Sequence, residues 1–196
     1  MEENIAFPVR AFEALPPNLT PSSYIDFLLL LGGLKPTIRL HVTEPRAQHT
    51  IKSWGEEHGY ASVPDPSGYI YIATIQNDAL RLQKLDDSHE AHEYGLGLLF
   101  GYPQCCCRRA AEVGESKLDE WEETLSQDVS FRRMPNCLID PRGYTEGSSL
   151  ISHIPCSAQC KASLSIARAA LRIVLYQKNS HHFCRWSRWF VLPPAS

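Results

Sequence analysis

This sequence has little net charge, no long apolar run and none of the common phosphate-binding or hydrolase motifs. The formal net charge is −3, which carries no global nucleic-acid signature. The longest apolar stretch, Phe27 to Leu34, falls far short of the ~20 residues that span a bilayer, so no membrane anchor is expected. The start, Met1-Glu2-Glu3-Asn4, is acidic and leads into no apolar run, unlike a secretory signal. P-loop, dinucleotide fingerprint and G-x-S-x-G elbow are all missing. Ser88-His89-Glu90-Ala91-His92-Glu93 lacks the H-E-x-x-H spacing of a zinc protease. Internal repeats and low-complexity segments are absent too. These absences predict a cytoplasmic protein acting on a small molecule rather than on nucleic acid or membrane; they do not set its oligomeric state.

What is present is cysteine, in an unusual distribution. Gly101-Tyr102-Pro103-Gln104-Cys105-Cys106-Cys107-Arg108-Arg109 holds three of the seven cysteines side by side, and His153-Ile154-Pro155-Cys156-Ser157-Ala158-Gln159-Cys160 holds two more. With 196 residues and 43% hydrophobic content, the chain can build a core without covalent staples. In a reducing compartment, clustered cysteines then point to metal ligation or redox chemistry rather than structural disulfides. The odd count leaves one thiol over in any fully paired scheme.

The rest reads as α+β, with a small N-terminal β-α-β-β unit packed on a helical cysteine-bearing half. Residues 1–36 form an arm and a short helix, 37–87 the small α/β unit, and 88–196 the helical cysteine region, within one compact domain. Prolines 8, 16, 17 and 21 make residues 1–23 an extended arm or loop. Tyr24 to Leu31 is a helix ended by Gly32-Gly33, 37–42 a strand, and 45–58 a helix that opens on Pro45 and stops before Gly59. Pro64-Asp65-Pro66-Ser67-Gly68 links two further β-rich runs by a hairpin or a short crossover. Asn77 or Asp78 caps a helix to about Leu85, and Asp86-Asp87-Ser88 opens another that Gly101 ends. Helices from Pro103 to Val113 and from Lys117 to Leu125 follow, then a long connection over 126–150. A last helix begins at Pro155 or Ser157, with Leu164, Ala167, Leu171, Val174 and Leu175 as its apolar stripe. The segment Glu112 to Asp128 is acidic, and no acidic residue follows Glu146. Two mutually attracting faces, or a basic surface for an anion, both account for that asymmetry.

Placed this way, both cysteine groups open helices, where unpaired N–H groups and the helix dipole favour thiolate. Cys156 and Cys160, four apart, share a helix face. Cys105 and Cys106 diverge by about 100° and cannot both face one point without an irregular first turn, so one or two of the three reach the site. Three readings stay open: small buried hydrophobes, a thiolate metal site with iron–sulfur ahead of zinc, and a metal-free thiol–disulfide pair or redox sensor. Neither group has the C-x2-C knuckle of zinc ribbons. His153 is a further candidate ligand. Arg108 and Arg109 are candidates to lower a thiol pKa or hold an anion, or else to pair with the acidic helix. Cys137, Cys184 and His181-His182 are weaker candidates.

The two segments together resemble an uncharacterised prokaryotic family, a domain of unknown function built on Gly-Tyr-Pro-x-Cys-Cys and a later His-x-Pro-Cys-Ser-x-x-Cys. The resemblance covers about residues 69–175. It implies Cys105, Cys106, His153, Cys156 and Cys160 as the shared site, and treats Cys107 as a hydrophobe. It implies no reaction. The working expectation is therefore a metal- or thiol-dependent oxidoreductase or transferase, whose iron–sulfur or zinc centre serves redox or sulfur-transfer chemistry. A zinc-stapled binding module is the further alternative.

Overall fold

A helix that is apolar on every side is stable only when surrounded. Helix α2 (Pro21–Leu31) is that helix: Tyr24 through Leu31 are all buried. The computed structural model describes residues 7–17, 19–88, 93–128 and 138–178, and in it α2 lies within the main core. Thr20 caps the helix, its hydroxyl accepting from the Ser23 N–H at 3.2 Å, with Pro21 in the first turn.

Before α2, the expected extended arm is instead partly helical. Helix α1 (Val9–Glu13) buries Ala11 and Phe12, and Leu15 follows them into the core. The prolines flank these helices rather than interrupt them: Pro8 sits at the cap of α1 and Pro21 opens α2. The Trp54 indole N–H, donating to the Ala11 carbonyl at 2.8 Å, ties α1 to the third helix.

The β-α-β-β unit is present. Strand β1 (Thr37–His41) leads to α3 (Pro45–His58), β2 (Ala61–Pro64) and β3 (Tyr69–Ala73). The sheet order is β1-β3-β2, with β3 antiparallel to both neighbours. Leu40 pairs with Ile70 on one side and Pro64 with Ile70 on the other. The β2–β3 link is a hairpin, closed by Asp65 accepting from the Ser67 N–H. Because side chains alternate along a strand, β3 serves two cores. Ile70 and Ile72 join the main core around α2, whereas Tyr71 joins Leu82 and Phe100 on the opposite face.

That second face carries the cysteine half. Helix α4 (Gln76–Asp86) covers it, followed by α5 (Glu93–Leu99), α6 (Gln104–Val113), a 3-10 turn at Glu115–Lys117 and α7 (Leu118–Ser126). Asp86 and Asp87 end α4 rather than open the next helix. The long connection contains a short helix, α8 (Gly143–Glu146). Helix α9 (Lys161–Lys178) starts later than expected: a turn over 155–160, in which Ser157 C=O accepts from the Cys160 N–H at 3.1 Å, precedes it. Its innermost residues are Ala167, Ala170 and Val174, and Leu175 faces solvent. His89, His92, Cys137, Cys184, His181 and His182 lie outside the described residues.

One polar group interrupts the apolar run of α2. Asp26 is buried and receives two donors: the Lys35 ammonium at 2.6 Å and the Tyr144 hydroxyl at 2.6 Å. Lys35, also buried, donates onward to Ser152 Oγ at 2.8 Å and lies 5.2 Å from the ring centroids of both Phe100 and Tyr102. Burial pulls the Lys35 pKa down, but the Asp26 carboxylate outweighs it and the net shift is upward. Removing one partner of such a pair strands the other charge, at about 3–5 kcal/mol. Asp26→Asn should lower unfolding stability by that order in a denaturant titration. The double variant Asp26→Leu/Lys35→Met should lose clearly less; equal losses would show that the pair itself does not matter.

Candidate metal centre

The site begins with a corner. Gly101 has φ +76°, and a Cβ there would come within 2.4 Å of Pro36 Cδ, so only glycine lets the chain turn against the start of β1. Pro103 then caps α6, and its carbonyl accepts from the N–H groups of Cys106 and Cys107 at 2.8 and 3.0 Å. The three cysteines occupy the first turn, as the sequence suggested.

They do not share one fate. Cys107 is buried, contacts the Tyr102 carbonyl at 3.5 Å, and fills a notch where a Cβ on Gly97 would meet its sulfur at 2.7 Å. It packs α6 onto α5. Cys105 and Cys106 both reach Cys160, at 3.7 Å each, and lie 3.9 Å from one another. No irregular turn is needed, in correction of the expectation: the Cys105 and Cys106 sulfurs stand 3.9 Å apart on the ordinary start of α6, and Cys160 meets both to close a near-equilateral triangle. Cys156 completes the group, and all four sulfurs lie within 4.8 Å of one another. The two cysteine segments therefore meet, and these four thiols could hold a metal ion.

Cys156 arrives from the turn and not from a helix face, which corrects its expected pairing with Cys160 along α9. Its backbone N–H donates to Cys106 Sγ at 3.3 Å. Cys160 stands immediately before α9, where a capping side chain belongs. Burial works against its thiolate, but the hydroxyl and backbone N–H of Ser163, together with the Cys156 and Cys106 thiols, outweigh this and bring its pKa down to about 7. Burial raises three thiols nearby: Cys156 to about 12, Cys107 to about 11, and Cys106 strongly upward.

Ser163 was not singled out from the sequence, although a serine three residues past Cys160 has the spacing of a helix cap. Its fully buried hydroxyl lies 3.4 Å from Cys106 Sγ and 2.8 Å from His153 Nε2. A hydroxyl has one proton. When it donates that proton to a thiolate, it must accept from His153, which places the imidazole proton on Nε2. His153 thus stands one hydrogen bond behind the sulfurs, its ring 4.9 Å from that of Tyr102. Tyr102 in turn donates to the Ser152 carbonyl at 2.7 Å. Arg108 is solvent-exposed. Arg109 lies 4.4 Å over the Trp121 ring and 3.4 Å from Glu112, so its guanidinium braces α6 on the acidic helix α7.

Beside the sulfurs opens a cavity of about 340 Å³, bordered by Cys106, His153, Tyr102 and Phe100 on one side and by Arg39 and Asp86 on another. Arg39 is ion-paired with Asp86, which also accepts from the Tyr71 hydroxyl at 2.8 Å. Neither Arg39 nor Asp86 was expected at the site.

Burial, with Lys35 nearby, lowers the His153 pKa from 6.5 to about 3. Between those values the unfolded chain takes up a proton that the folded chain does not, so stability falls as pH drops through that window, by at most ~1.4 kcal/mol per unit. His153→Gln, at equal metal loading, should flatten the slope of stability against pH below about 6.5; parallel slopes would refute the assignment.

No protein-family model matches the chain, and no curated protein and no solved structure matches it.

Proposed function

We propose that Cys105, Cys106, Cys156 and Cys160 bind one metal ion as thiolates, and that the protein is a small metalloprotein with this centre beside its substrate site. The observation that carries the reading is the sulfur spacing. Four thiolates about 2.3 Å from one tetrahedral ion stand ~3.8 Å apart, and three of the sulfur pairs lie at 3.7, 3.7 and 3.9 Å. A multinuclear iron–sulfur cluster spreads its thiolates over separate irons, farther apart than this. The geometry therefore favours zinc, or a single iron, over the cluster that the paired cysteines at helix starts suggested. The N–H and O–H groups on Cys106 and Cys160 supply the outer support that thiolate sites need.

Four protein sulfurs complete a tetrahedral shell, the pattern of a structural ion. On this reading the ion pins the 152–160 turn onto the start of α6 and so builds one wall of the cavity. Redox or sulfur-transfer chemistry is the finer proposal, and it requires iron or labile sulfide at the centre. A second reading is a metal-free thiol–disulfide couple, favoured by a thiol of pKa about 7, Cys160, close to the raised thiols Cys106 and Cys156. Kinship with the Gly-Tyr-Pro-x-Cys-Cys family is proposed from the motifs alone.

Protein purified without oxygen should carry one zinc or one iron per chain and no acid-labile sulfide. Cys160→Ser should lose stoichiometric loading while Cys107→Ala keeps it, and chelation should lower the melting temperature. Labile sulfide would replace the single ion with a cluster. A metal-free, folded protein whose thiols oxidise reversibly in pairs would replace it with the redox couple.

A further inference from the structure

The cavity lies where the sheet unit, α5, α6 and the 152–154 turn come together, a position typical of ligand sites. Its walls are largely apolar. Leu96, Leu118 and Ile154 line it, and Phe100 and Tyr102 stack with centroids 5.3 Å apart and planes 27° from parallel. Such walls hold a flat hydrocarbon body.

The polar groups decide the charge. Among the described residues that line the cavity, Arg39 is the one Lys or Arg, against Asp86, Glu93 and Glu115. Arg39 is already matched by Asp86. Glu93, half-buried, and Glu115, exposed, border the cavity from its solvent side, the Glu115 N–H donating to Glu93 Oε1 at 3.1 Å, and neither has an ion pair among the described residues. His153 borders the cavity as well, its Nε2 engaged by Ser163. Lys35 lies against Phe100 and Tyr102 and is matched by Asp26, so these rings serve the ligand's body rather than its charge. A cavity bordered by two carboxylates without an ion-pair partner, beside one already matched arginine, favours a donor cation over an anion.

We propose that this cavity binds a small molecule with an apolar, preferably aromatic body and a single protonated amine, the amine held by Glu93 and Glu115. This deepens the proposed function by naming the substrate class, and it rests on that reading only for the ion's role in building the wall near Cys106. No bond is made or broken in the proposal; it concerns recognition.

The probe pair is phenethylamine and phenylacetate, which share a ring and differ in the sign of the charged end. Both are titrated near neutral pH by calorimetry and by amide chemical shifts, with metal content measured on the same samples. Phenethylamine should bind saturably and shift resonances of Phe100, Tyr102 and His153, and phenylacetate should not. Glu93→Gln/Glu115→Gln should weaken the amine roughly tenfold or more, the loss expected for a charge-assisted bond. Ile75→Ser, a change at an exposed site outside the cavity, should leave it unchanged. Equal binding of both probes, no saturable amine binding, or indifference to the double substitution would each overturn the proposal. Metal-loaded protein that fails to bind the amine sinks the cavity assignment alone; metal-free protein that binds it sinks the metal reading alone.

Discussion

A lysine ammonium placed in a protein interior must be matched, and the Asp26–Lys35 pair meets that demand at the centre of this molecule. Asp26 projects from the most buried helix, Lys35 from the segment that enters the sheet, Tyr144 from α8, and Ser152 from the turn that leads to His153 and Cys156. One desolvated charge pair therefore gathers four parts of the chain that are distant in sequence. A pair of this kind is weak as a source of net stability but strict about geometry, because a misplaced partner strands a buried charge. The strictness reaches the cysteines through Ser152, whose carbonyl also receives the Tyr102 hydroxyl. The corner before Cys105 and the turn before Cys156 are thereby held to the same residue.

The cysteine group is the second constraint. Several sulfurs within 4.8 Å of each other cannot all be thiolates without a compensating charge, and burial alone pushes most of them toward the neutral form. The structure opposes this locally: a backbone N–H and a serine hydroxyl reach Cys106, and a helix start and Ser163 act on Cys160. Thiolates here would need the remaining compensation from a bound cation; without one, the sulfurs stay protonated as free thiols or bond to one another in a pair.

Much of this was legible in the chain. Pro45, Gly59 and Gly101 act on their neighbours through fixed backbone preferences, so the β-α-β-β unit and the start of α6 could be placed closely. The run Phe27 to Leu31 announced a buried helix, and Asp26 beside it was a signal that went unread: a carboxylate next to such a run needs a buried partner. Proline density misled in the first 23 residues, since a proline at a helix start is as compatible with a helix as with a loop. Cys156 was assigned to a helix because spacing of four fits a helix face, whereas a turn also brings such residues together.

Local chemistry, acting over a few residues, determined from sequence alone that Cys105 and Cys106 open a helix behind a glycine corner and that a second cysteine pair lies near the start of the last helix. That the two groups meet, that Cys107 turns away into the Gly97 notch, and that Ser163 rather than an arginine attends the sulfurs were decided by tertiary packing. The meeting of the two groups and the Ser163 contact span some fifty residues, and loop-closing contacts of that range leave no periodicity in a sequence. The cavity is the clearest case: Arg39, Asp86, Glu93 and His153 come from four separate segments, and only the fold gives them a common wall.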